Sequence, residues 1–193
     1  MEPTVATAAI PHPLWSYFNE AAEVWGFNCG PAAVCGVLEL LPGQVQGVFK
    51  RHGFANKRYT NPKMMFEVLS SLIGDRWNVL SVDRWPMNGL IRVQWSGPWT
   101  NPGVPIRVAY RHTHWIGSRE APRGREVFDV NCACVGGWVP YLEWSGSVVP
   151  WLLKTCQPKA DGKWWPTHVI ETRLAAHAGG MPAVGSAAHD GHD

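Results

Sequence analysis

Cys29 stands in the run Asn28-Cys29-Gly30-Pro31-Ala32-Ala33, at the start of an apolar stretch. His114 opens the run His114-Trp115-Ile116-Gly117 in the second half of the chain, and Asp129 follows in Val127-Phe128-Asp129-Val130. A thiol, an imidazole and a carboxylate supply a nucleophile, a base and an orienter. The thiolate is the reactive form, and a helix N-terminus beside an imidazolium lowers a thiol's pKa. The carboxylate fixes the tautomer and direction of the ring. These residue types therefore suit attack on a carbonyl carbon, provided folding joins three distant segments.

The same segments hold rivals. His112 lies two positions before His114 and would share its face of a strand, and Asn131 stands in the same relation to Asp129 as an alternative orienter. His112 and His114 with Cys132 and Cys134 also present the donor types of a tetrahedral zinc site, although not at zinc-finger spacing. His177, His189 and His192 could bind metal weakly from the C-terminal stretch. Cys35 falls on the interior of the Cys29 helix and reads as core. No nucleophile elbow surrounds Ser16, Ser145 or Ser147, and Gly136-Gly137 lacks the Lys and Ser/Thr of a phosphate loop.

The elements that must position these groups are legible in outline. Leu14, Trp15, Phe18, Ala22 and Trp25 follow helical spacing, Gly26 breaks the run, and Asn28 caps a second helix with Pro31 in its first turn. Val34, Val37, Leu38 and Leu41 extend an apolar stripe, so this helix should be buried and hold Cys29 at its end. Asn61-Pro62 starts another helix, with Met65, Val68, Leu69 and Leu72 on one face and Gly74 as its stop. Residues 77–82 read as a strand and 88–95 as a short helix. Sheet follows over 104–110, 113–118, 126–131 and 167–172, with a helix over 141–153. Helices first and antiparallel strands second make an α+β pattern. Residues 1–13 read as a flexible leader, 14–173 as one domain, and 174–193 as a flexible tail.

The motifs around Cys29, His114 and Asp129 resemble papain-like cysteine peptidases, most closely the bacteriocin-processing double-glycine peptidases. Asn28-Cys29-Gly30-Pro31-Ala32-Ala33 matches the family's nucleophile motif. Gly103-Val104-Pro105-Ile106-Arg107-Val108 is similar to the strand before its histidine, and His114-Trp115-Ile116-Gly117 and Phe128-Asp129-Val130 match the rest. The resemblance implies a thiol-bearing central helix packed on an antiparallel sheet. It also implies a Cys29–His114–Asp129 triad, cleavage of an amide bond after small residues such as Gly-Gly, and no cofactor or metal. The chain departs from the family at position 23, where Glu23 replaces the usual oxyanion-hole glutamine. Asn19 and Asn28 are the substitute amides. A fainter resemblance to small papain-like proteins of tailed bacteriophages implies a role in the host cytoplasm or the virion.

Composition narrows the rest. With 193 residues, 46% hydrophobic and 17% charged, the chain can bury a core. A net charge of +2 gives no case for nucleic acid, so the expected partner is a peptide or protein substrate. No segment is long and apolar enough for a membrane span, and the N-terminus lacks a secretory pattern, which gives a cytoplasmic expectation. Five cysteines cannot all pair internally, consistent with free thiols in a reducing compartment. Twelve tryptophans read mainly as core, with Trp25, Trp115 and Trp138 as candidate groove formers. Two alternatives to an active peptidase stay open: an inactive peptide-binding module, suggested by Glu23, and a zinc-stabilised structural or phage protein.

Overall fold

The computed structural model describes residues 12–57 and 59–173. Helices come first: α1 (Pro13–Trp25), α2 (Cys29–Leu38), α3 (Pro42–Arg51), α4 (Phe54–Lys57) and α5 (Pro62–Ile73). Strands β1 (Trp77–Leu80) and β2 (Asn88–Trp95) follow, then the short helix α6 (Ile106–Ala109) and strands β3 (Thr113–Ala121), β4 (Gly124–Phe128) and β5 (Trp138–Pro140). Helix α7 (Tyr141–Glu143), a π-helical turn (Trp144–Val148) and α8 (Val149–Cys156) lead to β6 (Trp164–Thr172). The fold is α+β, with eight α-helices and one antiparallel sheet of order β1-β6-β2-β3-β4-β5 among the described residues. No helix among them is long and apolar enough to cross a membrane.

Strand alternation builds two cores. Leu90, Trp115, Phe128 and Ile170 face α1, α2, α3 and α5. Their neighbours Ile91, Val93, Ile116, Val127 and Val169 face the other way, onto Trp144, Val149 and Leu152. The sheet is thus buried on both faces around β2. That explains one correction: Asn88–Trp95 is a strand, not a short helix, because consecutive apolar residues fill both cores.

A second correction concerns 104–110. The strand beside β3 is β2, and 104–110 holds only the surface helix α6. The β-rich composition of 104–110 and its likeness to the strand before the family's histidine point to a strand. Pro105 offers no N–H to a ladder and instead precedes the first turn of α6, and Ile106 is exposed. The 126–131 strand likewise ends at Phe128, where Asp129 caps a 3-10 segment over Val130–Val135. Pro13, expected within the leader 1–13, belongs to α1, and His12 caps that helix. Residues 1–11 and the tail 174–193, with His177, His189 and His192, lie outside the described residues.

Candidate active site

Local sequence places the thiol. Gly26 takes a left-handed conformation that stops α1. Asn28 then adopts extended geometry, and its Oδ1 accepts from the Gly30 N–H at 3.2 Å, capping α2. Cys29 is the first residue of α2, and residues 30–37 behind it are buried. The helix lies close to the sheet because Gly36 has no side chain: a Cβ there would collide with the Phe128 ring. Cys29 is half-buried and lines a cleft of about 860 Å³.

His114 is the second residue of β3 and meets Cys29 where both elements begin. Its Nε2 lies 3.0 Å from Asp129 Oδ2, so Nδ1 is the ring nitrogen left to interact with the Cys29 thiol. The Trp95 ring lies nearly parallel to the imidazole, with its centre 6.1 Å away. Asp129 is fully buried and accepts four hydrogen bonds. Besides His114, Trp144 Nε1 donates to Oδ2 at 2.9 Å, and the Asn131 N–H and Nδ2 donate to Oδ1 at 2.9 and 2.7 Å. A buried carboxylate needs such saturation.

The charges follow from these contacts. Burial pushes the Asp129 carboxyl upward, but His114 and then Trp144 and Asn131 overcome it and bring it to about 2. Burial alone would lower His114; Asp129 and Cys29 outweigh it and hold the ring well above 6.5. Burial raises the Cys29 thiol, yet the charge and hydrogen bond of His114, with the Trp115 backbone N–H, bring it below 9.0. Both shifts run toward a thiolate–imidazolium pair beside an ionised carboxylate. The buried thiols Cys35 and Cys132 are instead pushed up, Cys132 to about 12.

The remaining sequence expectations divide. Asn131 grips Asp129 rather than the imidazole, so it supports the orienter instead of serving as one. Asn19 and Glu23 are both exposed on α1 and neither lines the cleft, whereas Asn28 does. Trp115 walls the cleft, its Nε1 donating to Thr60 O at 2.8 Å. Trp25 packs in the core against Phe27 and Phe54, and Trp138 packs against Phe128. His112 turns to Gln157 at 2.8 Å and stacks on Trp99, so it does not join His114. No group of three or more His, Cys, Asp or Glu residues among the described residues could hold a metal ion.

Two contributors escaped the sequence reading. Trp144 carried no distinguishing signal among twelve tryptophans. Arg92 did: a lone cation inside the apolar run Leu90-Ile91-Arg92-Val93 demands a partner or a task. It lies in the cleft wall, where the pairing of β2 with β6 shifts register between Arg92 and Val93. Compared with known proteins, the chain matches no family model, no curated protein and no solved structure.

Proposed function

We propose that this chain is a papain-like cysteine hydrolase that cleaves an amide bond in a peptide or protein, including bonds after small residues such as Gly-Gly. Cys29 is the nucleophile, His114 the acid and base, and Asp129 the orienter. The observation that carries this is the continuous chain from buried Asp129 through His114 to a thiol at a helix start, open to a cleft.

In this mechanism the Cys29 thiolate adds to the carbonyl carbon. The negative oxygen is met by the Cys29 N–H, one of those a helix leaves unbonded at its first turn, and by the Asn28 amide at the cleft wall. His114 passes its proton to the leaving nitrogen, giving an acyl thioester. Neutral His114 then takes a proton from water as the water attacks, and the acid product and the thiolate–imidazolium pair are released. Glu23 lies away from the cleft and sets no carboxylate against the oxyanion.

The test uses the chain's own controls. Cys134 and Cys156 are free and exposed. At pH 6, iodoacetamide should alkylate Cys29 faster than either, and His114→Ala should abolish that advantage. Peptides incubated with the protein should gain new termini that vanish in Cys29→Ser. Alkylation of Cys29 no faster than Cys134 and Cys156, or an activated thiol with no Cys29-dependent cleavage, refutes the proposal.

A further inference from the structure

The chain as a whole is nearly balanced, with 17 Lys and Arg against 15 Asp and Glu. The cleft is not. Among the described residues Lys63, Arg92, Arg107 and Arg111 line it, and no Asp or Glu does. Elsewhere on the surface arginines find acids, as Arg119 does with Glu126 at 2.7 Å and Arg125 with Glu120 at 3.4 Å. Of these four cations, Lys63 alone has such a neighbour among the described residues, Glu67 at 3.9 Å.

Arg92 is the decisive member. It is 2% exposed, opposite Trp115 on β3 and His168 on β6. Its Nη2 donates to Thr113 Oγ1 at 3.1 Å and Tyr110 O at 3.4 Å, and the guanidinium lies 4.9 Å from the Tyr110 ring centre. Nε and Nη1 are buried without partners, an expensive state for an ion. The ionised triad carries a net single negative charge (thiolate, imidazolium, carboxylate), which can offset Arg92. It leaves nothing for Arg107 and Arg111, both exposed on the segment that carries Tyr110 over the cleft. Nor does His168 compete for an anion, because burial and Arg92 lower its pKa and keep it neutral.

Resting on the cysteine-hydrolase proposal, we infer that the substrate carries a carboxylate near the bond attacked, held in the cleft by Arg92, Arg107 and Arg111. The carboxylate belongs either to an Asp or Glu side chain or to the end of a peptide chain. A cleft lined by one sign of charge concentrates and orients an oppositely charged ligand, and guanidinium groups match carboxylates in geometry.

The experiment compares alkylation of Cys29 by iodoacetate and by iodoacetamide, with Cys134 and Cys156 as references in the same sample. Iodoacetate should be preferred at Cys29 relative to the references. Arg107→Gln/Arg111→Gln, on exposed positions, should reduce that preference by about tenfold. Arg92→Gln should reduce it further, and Arg92→Lys should retain part of it. Because His114 alone favours an anionic reagent, an unchanged preference in the Arg107→Gln/Arg111→Gln variant overturns the inference, whether or not the Arg92 variants fold. Failure of the hydrolase proposal looks different, either as both reagents slow at Cys29 or as no peptide cleavage lost in Cys29→Ser. The carboxylate's source is read from protection against iodoacetamide. Protection by N-acetylglycine marks a chain end, and protection by N-acetylaspartic acid α-amide marks a side chain. Equal protection by neutral N-acetylglycinamide or by inorganic phosphate overturns the carboxylate assignment.

Discussion

Trp144→Phe tests whether Asp129 is anchored as its contacts imply. Trp144 is fully buried and donates to Asp129 Oδ2 at 2.9 Å, beside the His114 bond at 3.0 Å. Phenylalanine keeps most of the packing and loses the N–H. The smaller ring leaves a cavity costing about 2 kcal/mol, a part of what full truncation of a buried tryptophan costs. The carboxyl's fall from 3.8 to about 2 corresponds to about 2 kcal/mol, with His114 the larger contributor and Trp144 the smaller. About 1 kcal/mol of the loss should therefore depend on an ionised Asp129, for a total of about 3 kcal/mol. Urea unfolding followed by circular dichroism measures it. In the Asp129→Asn background the same substitution should cost about 2 kcal/mol, a coupling of about 1 kcal/mol. The sign with pH agrees: a depressed carboxyl stabilises above its unfolded value and loses that contribution as pH falls through about 2. Hence the penalty of Trp144→Phe should shrink between pH 4 and 2. Equal cost in both backgrounds, with no change over that pH range, would refute the anchoring role.

Three other outcomes follow from the site and the packing around it. The kcat/KM of Cys29-dependent cleavage should rise on a limb below the usual thiol value of 9.0 and fall on a limb above the usual imidazole value of 6.5, because attack needs the thiolate and the leaving nitrogen needs the His114 proton. A single limb near 9 in the pH–rate profile would show that the pair does not form. Gly36→Ala should destabilise by about 1 to 3 kcal/mol, since its Cβ meets the Phe128 ring. Gly47→Ala, in α3 with only the Arg51 side-chain tip at 3.8 Å, should stabilise by about 1 kcal/mol. Thermal melts of the two variants decide, and a stabilised Gly36→Ala would mean α2 does not press on the sheet as described.

What the chain alone determined is mostly local. Gly26, Asn28 and Pro31 act on their own backbone neighbours, so the end of α1, the cap of α2 and the position of Cys29 could be read before any fold was known. Asn61 and Gly74 bound α5 for the same reason. Where two segments competed for one place, local pattern misled. The stretches 88–95 and 104–110 are both short and apolar, and only the space beside β3, buried on both faces, selected the first. Asn131 had the right residue type for an orienter, but the turn after β4 carried its amide onto Asp129. Trp144 and Arg92 acquire their roles from neighbours far away in sequence: an indole on the second core reaching the carboxylate, and a guanidinium buried beside a cleft without acids. Hydrogen-bond saturation and charge balance are sums over a three-dimensional neighbourhood, so they became visible only once the chain had folded.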